Sequence, residues 1–162
     1  MKLAASLAIG LALCCHNALA AQGLGLAQLQ GGVAIANSAF DGEAAVGGRG
    51  ALGFRSGGFV FGPELGYYGF GGDWHLATAA VFARVGRRAG DGWYGVGSFG
   101  YQGPGTSSGG QSLFGAGLGA GWSARRAGSG LSAEARYLFS LQDVGGPMFG
   151  ALLLTVGWEW RW

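Results

Sequence analysis

Residues 148–162 read Met148-Phe149-Gly150-Ala151-Leu152-Leu153-Leu154-Thr155-Val156-Gly157-Trp158-Glu159-Trp160-Arg161-Trp162. Every second residue from Met148, through Leu152, Leu154, Val156, Trp158 and Trp160 to Trp162, is apolar or glycine, while the intervening row ends Thr155, Gly157, Glu159, Arg161. A repeat of two residues is the signature of an extended strand with one apolar face.

The same alternation recurs upstream. In Leu131 to Leu141, the residues Leu131, Ala133, Ala135, Tyr137, Phe139 and Leu141 oppose Ser132, Glu134, Arg136 and Ser140. In Ser112 to Ser123, Phe114, Ala116, Leu118, Ala120 and Trp122 oppose Gly115, Gly117, Gly119 and Gly121. Val46 to Arg55 and Phe59 to Tyr68 follow suit, with Arg49, Arg55 and Glu64 on the second row, and the turn signal Ser56-Gly57-Gly58 between them. Pro63 counts against the latter strand unless a bulge accommodates it. Leu29 to Ala36, Trp74 to Val85 and Trp93 to Tyr101 bring the count to eight, with weaker alternation. Glycine interrupts almost every window in which a helical stripe would form, at about 1 kcal/mol per interior glycine. The fold class is therefore all-β.

Composition decides which way the apolar row faces. The 37 glycines hint at disorder, but 13% aromatic residues and 11% charged residues leave too much apolar surface for a solvated chain. A soluble sandwich or barrel would display many Lys, Asp and Glu on its outer row. Here the second row is Gly, Ala and Ser with isolated Arg and Glu, which suits the narrow lumen of a small barrel. The Leu, Val, Phe and Trp rows then face lipid, and closure removes strand edges that hydrocarbon does not tolerate. The reading is an eight-stranded antiparallel up-and-down transmembrane β-barrel. Aromatic residues gather at strand ends, with Tyr67, Tyr68, Phe70, Trp74 and Tyr101 at one rim and Trp93, Trp122, Trp158, Trp160 and Trp162 at the other.

Residues 1–20 read as a signal peptide removed from the mature 21–162 barrel domain. Met1-Lys2 begins it, Leu3 to Cys15 is an apolar run too short to span as a helix, and Ala18-Leu19-Ala20 is a small-x-small cleavage signal. Cys14 and Cys15 raise acylation as a rival, but Leu13 stands where a lipoprotein signal favours a small residue. An even strand count places both termini in the periplasm. Outer loops then fall near Asn37 to Glu43, Gly69 to Asp73, Gln102 to Gly110 and Gln142 to Pro147. The basic inner turns Arg87-Arg88-Ala89-Gly90 and Arg125-Arg126-Ala127-Gly128 echo one another without making a repeat.

At this point the chain resembles the outer-membrane β-barrel family that includes the OmpA transmembrane domain and OmpX. The resemblance runs over Ala21 to Trp162, through Phe61-Gly62-Pro63-Glu64-Leu65-Gly66-Tyr67-Tyr68 and the terminal Gly157-Trp158-Glu159-Trp160-Arg161-Trp162. It implies a Gram-negative outer-membrane location and lipid and lipopolysaccharide contacts. Trp158, Trp160 and Trp162 would form the signal read by the barrel assembly machinery. Read as stopping at Trp162, the chain is expected to differ from OmpA in having no periplasmic peptidoglycan-binding domain.

Catalysis has little to work with. Nucleophilic chemistry needs a nucleophile, a base and an orienting group, and the mature chain has one histidine, His75, beside Asp73, with Ser38, Ser107 and Ser108 as remote partners. A lipid A or phospholipid-modifying enzyme is kept only as a second alternative. One histidine without mature cysteines makes no transition-metal site, and Asp41, Glu43, Asp73 and Asp143 lie on separate segments as solvated loop carboxylates. Gly115-x-Gly117-x-Gly119-x-Gly121 opens no helix and is not a dinucleotide fingerprint. No basic stretch interleaved with aromatics offers a nucleic-acid surface. No cofactor is expected.

The constellation that remains is internal. Arg49, Arg55, Glu64, Arg84, Glu134, Arg136, Glu159 and Arg161 fall on lumen rows, where charges must pair or hold water. They are expected to plug a monomeric barrel with a structural or surface-interaction role. A narrow porin-like pore is the first alternative, ranked second because eight strands leave little bore.

Overall fold

The computed structural model describes residues 24–37, 44–70, 74–86, 92–106, 109–110, 112–126, 128–142 and 149–161. Its strands are β1 Leu24–Ala36, β2 Ala44–Ser56, β3 Phe59–Phe70, β4 His75–Gly86, β5 Gly92–Thr106, β6 Gly109–Gly110, β7 Leu113–Arg126, β8 Ser129–Ser140 and β9 Gly150–Trp160. The two residues of β6 begin the strand that β7 continues, so the barrel has eight staves. Neighbours in sequence pair antiparallel, β4 pairs β5, and β1 pairs β9, which closes the sheet on itself. No helix among the described residues is long and apolar enough to cross a membrane; a barrel crosses with strands.

Closure fixes the tilt. A row of paired residues starting at Gln28 runs through Ala51, Glu64, Ala80, Gly100 and Gly115 to Ser140, at the very end of β8. The same registers carried through β9 return to β1 about ten residues beyond Gln28, a stagger that tilts the strands by roughly 40°. At that tilt a 12-residue strand such as β3 climbs about 30 Å, the thickness of a bilayer's hydrocarbon core.

The faces sort as the alternation predicts. Val46 is 72% exposed, Leu65 66% and Trp93 76%, whereas Arg136 is 2% exposed and Glu159 0%. The charge lies inside and the large apolar side chains lie outside, the inverse of a water-soluble protein. All eight expected strands are present. They are longer than the alternation alone marks: β1 begins at Leu24 rather than Leu29, and β5 continues to Thr106 and pairs with β6, which shortens the expected loop from Gln102.

Pro63 is accommodated without a bulge, because Ala51 opposite Glu64 and Phe54 opposite Phe61 keep one register on either side of it. The irregularity lies instead in β1, between Leu24 and Leu26 against β2. There Gly25 backs onto Arg55, whose Cβ would lie 2.7 Å from any Cβ added to the glycine.

Two rim assignments need correction. Tyr68 belongs to no exposed girdle but points inward and is fully buried, and Phe70 packs against the same inner apolar cluster. The reason is parity: Tyr68 and Phe70 share the row of Glu64, so they must face the same way. The lumen is also not lined by glycine and charge alone. Leu26, Ala51, Val60 and Phe82 cluster nearer the rim where β1 starts and β9 ends, the terminal rim, and Tyr68, Leu76, Leu113, Leu138, Phe149 and Leu153 fill the lumen toward the opposite, distal rim.

The β2–β3 connection is a two-residue turn, with Ser56 paired to Phe59 and Gly57 at φ 59°. A left-handed first position suits a type II′ hairpin and favours glycine. Gly57→Ala should lower the unfolding free energy by about 1 kcal/mol. Gly58→Ala, where an added Cβ meets only Gly86 O at 3.5 Å, should change it by no more than a few tenths. Urea titration of the protein in lipid vesicles would separate the two.

Candidate functional site

Between the two apolar clusters lies a belt of buried charge. Glu134 on β8 is its hub. Its Oε1 lies 2.5 Å from Arg49 Nη2 and 2.7 Å from Arg136 Nη2, and its Oε2 lies 3.4 Å from Arg84 Nη2 and accepts from Tyr94 Oη at 3.2 Å. Glu64 on β3 pairs with Arg49 Nη1 at 3.0 Å and with Arg136 Nη1. Glu159 on β9 pairs with Arg84 Nη1 at 3.2 Å and Arg161 Nη2 at 2.5 Å. Three arginines and two glutamates thus form one knot, and Arg84 links it to Glu159 and Arg161 at the terminal rim. The planar forks of arginine let each guanidinium serve two acceptors at once.

Arg84 is further fixed by aromatic faces, its guanidinium carbon standing 4.5 Å from the Tyr94 ring centre and 5.5 Å from that of Phe82. A polar ladder completes the belt on the side where the first and last strands meet. Gln30 Oε1 accepts from Arg49 Nε at 2.8 Å and from Thr155 Oγ1 at 2.9 Å, while Gln30 Nε2 donates to Ser132 Oγ at 2.9 Å. Gln28 Nε2 donates to the same hydroxyl at 3.0 Å, and Gln28 Oε1 accepts from Arg84.

The space for these long side chains comes from β7. A Cβ at Gly117 would lie 2.6 Å from Ser98 Oγ, 2.7 Å from Leu138 Cδ2 and 3.0 Å from Arg136 Cδ, and the Tyr94 ring lies directly against Gly121. The alternating glycines are the hollow into which Arg136 and Tyr94 fold. Beside the belt, a cavity of about 10 Å³ lined by Arg49, Glu64, Gln102 and Arg136 has room for about one water molecule.

Of the eight charges read from the sequence, Arg49, Glu64, Arg84, Glu134, Arg136, Glu159 and Arg161 come together. Arg55 does not. It is exposed, and it forms no ion pair among the described residues, because it sits one position from the end of β2, where the lumen opens. The alternation tells which side a residue faces but not whether the barrel still encloses it there. Gln28, Gln30, Tyr94, Ser132 and Thr155 belong to the belt yet carry no formal charge to mark them. Their signal was parity, since Gln28 and Gln30 flank the exposed Leu29.

Trp158 and Trp160 are exposed near the terminal rim, opposite Leu29 and Ala27 of β1, and Trp93 faces Trp122 there. Trp162 lies outside the described residues, as do residues 1–20 with Cys14 and Cys15, and Ser38, Asp41, Glu43, Asp73, Ser107, Ser108 and Asp143. His75 stacks on Tyr67, with ring centres 5.5 Å apart. No group of three His, Cys, Asp or Glu that could hold a metal occurs among the described residues.

Strand count, closure and inverted polarity together define the class: this is the eight-stranded transmembrane β-barrel fold. Within it the chain is similar to Neisserial surface protein A (NspA), at 16% identity and a TM-score of 0.66, over 85% of this chain and 96% of that one. It is also similar to the N-terminal β-barrel domain of Pseudomonas aeruginosa OprF, at 16% identity and a TM-score of 0.56, over 87% of this chain and 100% of that one. At such identities the likeness shows the fold. No family model and no curated protein matches the sequence.

Removing one member of a buried ion cluster leaves its partners uncompensated, at a cost of about 3–5 kcal/mol. Glu134→Gln is expected to fall in that range, because Arg49, Arg84 and Arg136 all lean on it. Arg55→Ala, at an exposed site, should stay within about 0.5 kcal/mol of the parent. Urea midpoints and slopes in vesicles give both values.

Proposed function

We propose that the protein is a monomeric integral barrel of a Gram-negative outer membrane, with a structural or surface-interaction role, no enzymatic activity and a lumen plugged by its charged belt. One observation carries this reading: the outer surface is a band of exposed Leu, Val, Phe and Trp, while arginine and glutamate are buried inside. In water that arrangement would be unstable, whereas in lipid the apolar row meets hydrocarbon and the buried charges meet partners inside the bore. The plug reading rests on the stacking of apolar cluster, charge belt and second apolar cluster along an eight-stranded bore.

In this reading residues 1–20 are a leader removed on export, and the terminal Trp158, Trp160 and Trp162 address the chain to the barrel assembly machinery. The aromatic rims then sit among lipid and lipopolysaccharide. The similarity to a protein called a neisserial surface protein favours a surface role without naming a ligand.

Two measurements test the proposal. Protein refolded in detergent micelles should run as a compact band that shifts on boiling, and a folded monomer that stays dissolved in plain buffer would overturn the membrane assignment. Planar bilayers containing the refolded protein should show no steady conductance. Stable unit steps would replace the plug with the narrow porin-like pore.

A further inference from the structure

The charge belt and the distal apolar cluster do not close completely on one another. The cavity of about 10 Å³ beside the belt is lined by residues of both, Arg49, Glu64 and Arg136 from the belt and Leu138 and Leu153 from the cluster. Small residues of β4, β5 and β7 leave the room, with Ala80, Gly100 and Gly115 in the lining beside the hydroxyl-bearing Thr78 and Ser98. Thr78 and Ala80 share the inward row of Leu76 and Phe82, and Ser98 and Gly100 that of Tyr94 and Val96, yet these four are only half-buried. An inward residue keeps accessible surface only where the bore is not filled.

Gln102 of β5 borders this space and is 4% exposed. Its Nε2 donates to Ala116 O at 3.3 Å and to Phe139 O at 3.5 Å, which turns the amide nitrogen toward the wall of β7 and β8. The opposite orientation would set the amide oxygen against two carbonyl oxygens. Gln102 Oε1 is thereby left a buried acceptor without a hydrogen-bond partner. Arg136 Nη2 stands 2.7 Å from Glu134 Oε1 but is out of line for a hydrogen bond, and it too has no hydrogen-bond partner. Buried polar groups left in that state cost free energy, and native structures satisfy nearly all of them with protein or with ordered water.

The chemistry of the two groups selects the occupant. An acceptor and a donor around one small space require a ligand that both donates and accepts. Gln102 Oε1 disfavours an anion, and Arg49 and Arg136 disfavour a cation. Water meets both demands, fits a space of about 10 Å³, and is held by about two to four polar partners. Glu64, Thr78 and Ser98 supply the others.

We propose that one water molecule is a fixed member of the barrel interior, donating to Gln102 Oε1 and accepting from Arg136 Nη2. The proposal deepens the plug reading above and rests on it, since only a sealed lumen keeps such a water in place. A high-resolution crystal structure of the refolded protein should show a single peak of density within about 3.2 Å of both atoms. Crystals soaked in bromide should show no anomalous peak there, and Gln102→Leu should lose the density. Ala80→Cys sets an apolar sulfur into the space and should lower the urea midpoint in vesicles. Ala80→Ser, whose hydroxyl donates and accepts as the water does, should return the midpoint to that of the parent.

In a dry cavity the sulfur would instead fill a void and keep or raise the midpoint. That result overturns the inference, as does an empty cavity in crystals of the parent, density that survives in Gln102→Leu, a bromide peak, or an Ala80→Ser midpoint as low as that of Ala80→Cys. Any of these in a barrel that does not conduct leaves the plug standing. Stable conductance steps from the parent in planar bilayers would overturn the plug reading itself.

Discussion

An eight-stranded barrel encloses a space about one side chain deep from each wall, and that shortage of room governs the rest of this molecule. No long residue can point inward unless something small stands opposite. Arg136 and Tyr94 are admitted by glycines of β7, and Arg49 reaches across to Glu134 only because no bulky side chain separates them. Glycine is abundant in this chain for steric reasons, and the same abundance misleads when read as a sign of disorder.

Charge in so narrow a space is stable only as a closed set. Arg49, Arg84 and Arg136 are paired with Glu64, Glu134 and Glu159, Glu159 is shared with Arg161, and Gln28, Gln30, Tyr94, Ser132 and Thr155 add further hydrogen bonds. Apolar clusters at either side keep bulk water from competing with these bonds, which strengthens them and raises the cost of breaking any one. The ladder from Gln30 to Thr155 and Ser132 also ties the first strand to the last two, the one junction in the barrel that no hairpin enforces.

Much of this was legible beforehand, and the failures are instructive. Strict alternation in β7, β8 and β9 told fold class and facing, because a two-residue period survives any change in loop length. The pairing of charges was foreseeable from their common row. Tyr68 was misplaced because an aromatic at a strand end looks like a girdle residue, although Tyr67 beside it had already taken the outward direction. Arg55 was misplaced because a row has no built-in marker for where enclosure stops. The apolar clusters inside were missed because Leu76, Leu138 and Leu153 resemble their lipid-facing neighbours, and only their parity distinguishes them.

Four of the seven buried ion pairs among the described residues join strands that are not neighbours in the wall. Arg136 to Glu64 joins β8 to β3, Arg49 to Glu134 joins β2 to β8, and Arg84 to Glu159 joins β4 to β9. Each crosses the bore like a spoke crossing a wheel. A hoop without spokes flattens under sideways load, as bilayer pressure would apply, and this one is braced along several diameters, so its cross-section should stay round.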